Sequence, residues 1–291
     1  MSQYDNIMQL MGIIAARQVI ANPNPIDHIS DAEFRVFSQF GEDGIIQYLI
    51  KKCKIGPYER RFVEFGVENY LESNTRFLLM NNNWSGVVMD PSRDNISSIK
   101  SDDISWRHDL QVICCFVGPE NLDTILSESG FDRDIGLLSI DIDGMDYWVW
   151  QSLTVVRPII VICEYNSVFG QKVKITVPYK ENFDRRRAHY STLYGGASLN
   201  ALVQLALSKG YYFVGSNLAG NNAFFVRNDR IGDLPALTSE QGYVESKFRE
   251  SRDEVGNLTY VRASSRVRLI EHMPVYDLET KSIRPICEIG I

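Results

Sequence analysis

The sequence predicts an α/β fold, a mostly parallel β-sheet that carries helices on both faces and closes with an antiparallel hairpin. Short apolar segments such as RFVEFG (61–66) and IIVICEY (159–165) alternate with segments of helical spacing. This alternation is typical of a parallel sheet, because strands that are covered on both faces are apolar throughout. Two further strand-like segments, 211–215 and 223–227, follow one another directly. They predict the closing hairpin.

The individual elements follow from apolar spacing and from turn residues. Residues 4–20 have mostly helical spacing and end at NPNP (22–25), and a second helix is expected from Ser38 until Gly56-Pro57 ends it. Beyond it the pattern predicts strands over 61–66, 85–90, 109–117, 136–143 and 159–165, and helices over 74–80, 121–129, 147–153 and 198–209.

Three regions divide the chain of 291 residues. Residues 1–30 are expected to form a helical arm that packs on the body or on a second subunit. Residues 31–235 form the α/β domain. Residues 236–291 are expected to wrap on that domain, because they hold too few periodic apolar positions to bury a core alone. The arm makes a homodimer a reasonable expectation.

Charge and composition exclude several classes of protein. Lys and Arg total 30 against 37 Asp and Glu, and the net charge of −7 argues against binding a nucleic-acid backbone. No apolar run is long enough to span a membrane, and the first residues do not resemble a secretory signal. The five cysteines are odd in number and lack a C-x-x-C spacing, so we expect reduced thiols in a cytoplasmic protein.

Chemistry is expected where strands end, because ligands of open parallel sheets bind outside the carboxyl ends of the strands. The first strand ends in Glu64-Phe65-Gly66 and the second in Asp90. A dinucleotide G-x-G-x-x-G fingerprint is absent. Asp90 is well placed to accept hydrogen bonds from ribose hydroxyls, and its alternative role is to start the turn before Pro91.

Polar side chains also end the fourth and fifth predicted strands. Asp141 and Asp143 are expected on one side of a strand, and Glu164 and Asn166 end its neighbour. Neighbouring parallel strands lie about 4.8 Å apart, so these four residues should form an oxygen-rich cluster. Such oxygens suit Mg²⁺ or a similar divalent cation. The alternative is a hydrogen-bonded polar pocket without a metal.

Together these segments resemble class I S-adenosylmethionine-dependent methyltransferases, and within them the FkbM-type and macrocin-O-methyltransferase-like branches. The resemblance covers residues 38–230 and rests on FVEFG, VVMDPS, LLSIDIDGMDYWVW, IIVICEYN and YYFVGSNLAGNNAFFVRND. It implies a Rossmann-like, seven-stranded sheet with a reversed last hairpin. It also implies O-methylation of a sugar or another small polar acceptor, in bacterial saccharide or natural-product biosynthesis. The first motif, EFGVEN, departs from the glycine-rich E-x-G-x-G-x-G of many relatives.

The resemblance assigns cofactor roles by position. Glu64 and Gly66 would lie under the methionine part of S-adenosylmethionine, and Asp90 would bind the ribose. The remaining assignments are Asp109, with Leu110, near the adenine, Asp141 near the sulfonium and the acceptor, and Ser38 and Gln39 near the cofactor carboxylate. Metal-dependent relatives use an acid after strand four and an acidic or amide pair after strand five, which Asp141, Glu164 and Asn166 resemble.

The acceptor side offers a base and a basic run. Without a metal, His189 is the candidate base for deprotonating a hydroxyl, and its alternative is a surface histidine. Arg185, Arg186 and Arg187 could bind an anionic acceptor such as a phosphorylated or nucleotide-linked sugar, unless they simply form a solvated loop face. Tyr165, between Glu164 and Asn166, is also expected at the acceptor.

Two other functions remain open at this point. A nicotinamide-dependent oxidoreductase would use a similar sheet, but the second and third glycines of its fingerprint are missing. A non-catalytic component of a polysaccharide assembly complex is the third class. The concentration of acids at strand ends argues against it, because buried charges cost stability unless they are used.

Overall fold

The computed structural model describes residues 3–22, 26–247 and 250–291, and a seven-stranded sheet forms the centre of this described part. The strand order is β3-β2-β1-β4-β5-β8-β7, and β8 runs in the opposite direction to the other six strands of this sheet. This confirms the predicted Rossmann-like sheet with its closing hairpin. The strands of the sheet are β1 Arg61–Phe65, β2 Ser85–Asp90, β3 Leu110–Cys114, β4 Asp134–Ile140, β5 Arg157–Glu164, β7 Tyr211–Ser216 and β8 Asn222–Arg227.

Helices cover both faces of this sheet. Successive residues of one strand point to opposite faces, so Val63 of β1 belongs to one buried apolar cluster and Phe62 to the other. This explains why the strands are apolar throughout. The helices are α1 Gln3–Ala21, α2 Glu42–Lys52, α3 Arg76–Asn82, α4 Arg93–Ser101, α5 Ile104–Arg107, α6 Leu122–Glu128, α7 Asp146–Ser152, α8 Arg185–Ala188, α9 Leu199–Ser208, α10 Ser239–Gly242 and α11 Ser264–Leu269. Helices α6, α7 and α9 pack on the first cluster, and α2, α3 and α4 on the second.

Strand β4 ends earlier than its sequence predicts. The apolar pattern extends to Asp143, but the strand stops at Ile140. The carboxylate of Asp146 accepts hydrogen bonds from the backbone N–H groups of Ile142 and Gly144, both at 3.0 Å, and Asp143 takes a left-handed conformation with φ of 58°. Asp141 and Asp143 therefore lie in a loop, and strand alternation is the wrong reason for expecting them together.

The C-terminal segment forms a second, smaller sheet with the body of the domain. Its strands β9 (Pro274–Asp277) and β10 (Ser282–Pro285) form a hairpin, and β9 pairs antiparallel with β6 (Ile175–Thr176). A third apolar cluster joins Ile270 and Val275 of this segment to Phe169 and Ile175. The segment thus packs against the connection between β5 and α9.

Helix α1 packs on α2 and α3 and leaves part of its apolar surface open. Ile7, Leu10, Met11 and Ile14 are each between 50% and 60% exposed. Over the part of the chain that the structure describes, no helix is long and apolar enough to span a membrane. The five cysteines are free thiols, of which Cys53 and Cys163 are buried, whereas Cys114 and Cys287 are exposed.

Candidate functional site

A cleft of about 650 Å³ lies over the carboxyl ends of the parallel strands. It spans the point where the strand order reverses between β1 and β4, which is where ligands bind in open α/β sheets. Its volume is typical of a pocket that holds a whole small ligand, roughly 300–1,000 Å³. Its lining includes Gln39, Glu64, Gly66, Asp90, Asn95, Cys115, Phe116, Val117, Asp141, Asp143, Glu164, Phe183, Arg185, Arg186 and Asn222.

The floor of the cleft is built from the end of β1. Glu64 is buried and accepts hydrogen bonds from the Ser73 and Thr75 hydroxyls, at 2.6 and 2.5 Å, and from the Asn74 N–H at 2.9 Å. Burial raises the pKa of Glu64, although these donors oppose the shift. Gly66 has φ of 72°, and a Cβ there would lie 1.7 Å from the carbonyl oxygen of Asp141. Only glycine permits this close approach of the two strand ends.

Asp90 ends β2 on one wall of the cleft. It is buried, and its carboxylate accepts hydrogen bonds from the N–H groups of Glu68 and Ser92 and from the Asn95 side chain, at 2.9, 2.8 and 3.0 Å. Asp90 therefore does both: it stabilises the turn that follows β2, and it lines the cleft. These donors keep a carboxylate in place facing the ligand space.

Three carboxylates meet on the opposite side of the cleft. One oxygen from each of Asp141, Asp143 and Glu164 lies within 4.8 Å of the other two, and we call these residues the acidic cluster. Burial and the neighbouring acids raise the pKa of Asp141 well above its ordinary value, and burial raises that of Glu164 to about 8. Arg185 opposes both shifts, and its Nε lies 3.0 Å from Asp143 Oδ1.

The acidic cluster fits a divalent cation by its donor set. Three hard oxygen ligands converge, and the raised pKa values of Asp141 and Glu164 indicate that negative charge here needs neutralising by protons or by a cation. The predicted fourth ligand, Asn166, is used differently. Its amide accepts from the Val168 N–H and donates to the carbonyls of Leu193 and Gly195, so it holds the surrounding loops together.

Two residues that were predicted to bind the cofactor, Ser38 and Asp109, do not line the cleft. Ser38 is fully buried, and its hydroxyl donates to the carboxylate of Asp43 rather than reaching the cleft. Asp109 precedes β3, and its carbonyl accepts from the N–H of Gly86 near the start of β2. It therefore lies at the amino edge of the sheet, opposite the cleft. The residues that follow β3 at the correct edge are 115–117, which line the cleft.

The predicted acceptor residues separate into two groups. Arg185 and Arg186 line the cleft, whereas Arg187 is 89% exposed and pairs with Asp184. His189 is not among the residues that line the cleft. Its Nδ1 lies 2.8 Å from the Ser191 hydroxyl, and its ring packs beside that of Tyr190.

A second cavity of about 170 Å³ adjoins the acidic cluster, and we call it the small cavity. It shares Gln39, Asp143, Glu164 and Arg185 with the cleft. The other lining residues are Tyr165, Asn166, Ser167, Thr192, Leu193, Gly195, Gly196, Gly220, Asn221, Ser246, Glu250 and Arg266. Tyr165 thus lies where the acceptor is expected, although its hydroxyl donates to the Val244 carbonyl at 2.6 Å.

Sequence reasoning missed several polar residues of these cavities. Asn221 lines the small cavity and Asn222 the cleft. Glu42 lines neither, but its buried carboxylate accepts hydrogen bonds from the amides of Asn217 and Asn222, at 2.6 and 3.0 Å. Asn222 faces the end of β5, where it pairs with Glu164. The polar run SNLAGNN (216–222), between two apolar strands, was the signal that could have indicated a site. Arg266, in the weakly patterned C-terminal segment, offered no such signal.

Comparison with known proteins gives structural similarity alone. No protein-family model matches the chain, and no curated protein matches it. Among solved structures, the N-terminal domain of EvdMO1 with S-adenosylhomocysteine bound is 10% identical, with a TM-score of 0.41, and the match covers 78% of this chain and 96% of that one. An O-methyltransferase from Bacillus cereus in complex with S-adenosylhomocysteine is 12% identical, with a TM-score of 0.39 and coverage of 75% and 89%.

A third solved structure, an S-adenosylmethionine-dependent methyltransferase from Clostridium acetobutylicum, is 9% identical. Its TM-score is 0.37, and the match covers 62% of this chain and 90% of that one. At these identities and scores the matches carry no information about the cofactor or substrate of the present chain. The site has to be interpreted from its own geometry.

Proposed function

We propose that the protein is an S-adenosylmethionine-dependent methyltransferase of class I, related to the FkbM-type and macrocin-O-methyltransferase-like branches. The observation that carries the proposal is the cleft itself. It runs from Asp90 at the end of β2, past Gly66, to the acidic cluster at the ends of β4 and β5. In this proposal the group that binds the ribose hydroxyls and the reactive centre are at opposite ends of one space of cofactor size.

In this proposal different residues of the cleft bind different parts of the cofactor. Asp90, held by three hydrogen bonds, accepts from the ribose hydroxyls, and residues 115–117 contact the adenine. Glu64 lies below the methionine portion, and the backbone at Gly66 approaches it closely because no side chain intervenes. Gln39 lines both the cleft and the small cavity, and we assign it to the cofactor carboxylate.

The reaction we propose is transfer of the methyl group to an acceptor oxygen. The oxygen attacks the methyl carbon, the carbon–sulfur bond breaks, and S-adenosylhomocysteine leaves. The hydroxyl proton passes to an ionised carboxylate of the acidic cluster, Asp141 or Glu164, because a raised pKa makes a carboxylate a stronger base. A divalent cation such as Mg²⁺, held by Asp141, Asp143 and Glu164, would lower the pKa of that hydroxyl. The acidic cluster and the cleft otherwise contribute by aligning the acceptor oxygen, the methyl carbon and the sulfur.

The acceptor we propose is a sugar or another small polar molecule, phosphorylated or nucleotide-linked, of the kind used in bacterial surface-saccharide or natural-product biosynthesis. The polar lining of both cavities and the guanidinium groups of Arg185 and Arg186 support this class. His189 is not needed as the base in this arrangement.

We also propose a homodimer that forms through α1. Ile7, Leu10, Met11 and Ile14 are spaced at i, i+3, i+4 and i+7, and each remains at least half exposed in the single chain. This spacing forms one apolar stripe along a helix. A second copy of the same helix, packed antiparallel, would cover it.

Thermal unfolding with S-adenosylhomocysteine, with NAD and without ligand tests the cofactor. A ligand at 100 times its Kd adds about 2.7 kcal/mol to the free energy of unfolding. We expect stabilisation by S-adenosylhomocysteine, and D90N should weaken its binding tenfold or more because a charged hydrogen-bond acceptor is lost. D94N, an exposed acid on α4, is the matched control. Stabilisation by NAD alone would instead favour an oxidoreductase.

A further inference from the structure

Arg266 brings the C-terminal segment into the small cavity. It lies on α11, which packs against the turn after β5, and it lines the cavity that Glu164 and Arg185 also line. Only 9% of the residue is exposed, and its Nε is buried. Among the described residues, that Nε has no hydrogen-bond acceptor, and no carboxylate lies within ion-pair distance of the guanidinium.

The other charged groups of the small cavity already have partners. Asp143 pairs with Arg185 at 3.0 Å, and Glu250 pairs with Arg252 at 3.2 Å. Glu164 belongs to the acidic cluster, where a proton or a cation neutralises it. Arg266 is therefore the cation left without a counter-charge among the described groups that line the cavity.

An unpaired buried guanidinium is costly. It cannot release its proton at any physiological pH, and removing a charge from water without a partner is expensive. Burial accordingly lowers the pKa of Arg266, and the charge of Glu245, which does not line the cavity, opposes the shift. A bound anion would supply the missing partner, because guanidinium donors match the oxygens of carboxylate and phosphate groups.

The cavity suits one small group. Its volume of about 170 Å³ is too small for a nucleotide, and Gly195 and Gly196 form part of its wall. It joins the cleft through Gln39, Glu164 and Arg185. An acceptor could therefore place an anionic group against Arg266 while its hydroxyl reaches the acidic cluster.

We propose that Arg266 binds an anionic group of the acceptor, a carboxylate or a phosphate monoester, and that the C-terminal segment thereby orients the acceptor for reaction. The description of this group as part of an acceptor rests on the proposed methyltransferase function. The anion site itself does not. Arg266 is a binding residue here and takes no part in bond making.

Isothermal titration with inorganic phosphate, and separately with acetate, tests the site at constant ionic strength in chloride. We expect the wild-type protein to bind at least one of the two anions, and R266M to bind it at least tenfold more weakly. Tighter binding of phosphate would indicate a phosphorylated acceptor, and tighter binding of acetate a carboxylate. R268M, on the exposed side of the same helix, should bind like the wild type. Failure of the wild type to bind either anion, or equal binding by R266M, would overturn the proposal.

A measurement on the wild-type protein covers the case in which R266M does not fold. Phenylglyoxal modifies accessible arginines, and mass spectrometry follows each one. The preferred anion should slow modification of Arg266 at least fivefold and leave Arg268 unchanged, and equal slowing of both would contradict the site. Titration of S-adenosylhomocysteine into R266M should give the wild-type affinity. If neither the wild type nor R266M binds S-adenosylhomocysteine, the proposed methyltransferase function is refuted, whereas the proposed anion site is not.

Discussion

Replacing Glu164 by glutamine should make the unliganded protein more stable at alkaline pH. The pKa of Glu164 is raised from an ordinary 4.5 to about 8, first by burial and then by the neighbouring acids. The folded protein therefore holds this proton more tightly than the unfolded chain does. Between the two pKa values the free energy of unfolding must fall as the pH rises, and it levels off above about 8.

The size of the effect follows from the same values. The loss approaches about 1.4 kcal/mol per pH unit, and between pH 6.5 and 8 it amounts to roughly 1.5 kcal/mol once partial ionisation near pH 8 is included. Asp43 and Asp146, with pKa values raised to about 6, have largely titrated below this window. E164Q resembles the protonated acid. Relative to the wild type, its stability should therefore rise by roughly 1.5 kcal/mol from pH 6.5 to pH 8, equivalent to roughly 3 °C in Tm.

Urea unfolding at both pH values measures this difference, with a chelator present so that no divalent cation binds. E250Q removes an exposed carboxylate from the rim of the same site and should behave like the wild type. If E164Q loses stability with pH as steeply as the wild type, Glu164 is ionised in the folded protein. The electrostatic description of the acidic cluster would then be wrong.

Three further predictions concern other parts of the molecule. D141N should weaken Mn²⁺ binding at least tenfold by electron paramagnetic resonance, and unchanged affinity would remove Asp141 from the ligand set. G66A should cost about 2 kcal/mol or more in urea unfolding, because its Cβ would meet the Asp141 carbonyl at a positive φ; a neutral result would show that the loop can shift. M11E should convert a dimer to a monomer by light scattering, whereas I283E, at an exposed apolar position on β10, should not; a monomeric wild type would refute the interface.

The strands and the main helices were predictable because their signals are local. A central parallel strand is buried on both faces, so it appears as a continuous apolar run whatever surrounds it. The end of β4 was not predictable in this way. Asp146 ends the strand because its carboxylate accepts hydrogen bonds from the N–H groups of Ile142 and Gly144. A side chain that competes for backbone donors in this way does not change the spacing of apolar residues.

The candidate site was predictable where it depends on strand ends. Glu64, Gly66, Asp90, Asp141 and Glu164 all line the cleft, because the carboxyl ends of parallel strands must meet at one edge. Asp109 was misplaced because the strand after it could not be bounded: a shift of a few residues moves a side chain to the opposite edge of the sheet. Ser38 was misplaced because its partner, Asp43, lies in a helix that only folding brings over it.

The sequence by itself determined the fold class and the chemical character of the strand ends, since both follow from the local order of apolar and acidic residues. Only the tertiary structure decided which charges face each other. It brings Arg185, on α8, to Asp143. It also brings Arg266, more than 80 positions further along the chain than Arg185, into the same small cavity. Electrostatic energies depend on distance and burial in space, and neither quantity can be obtained from the spacing of residues along a chain.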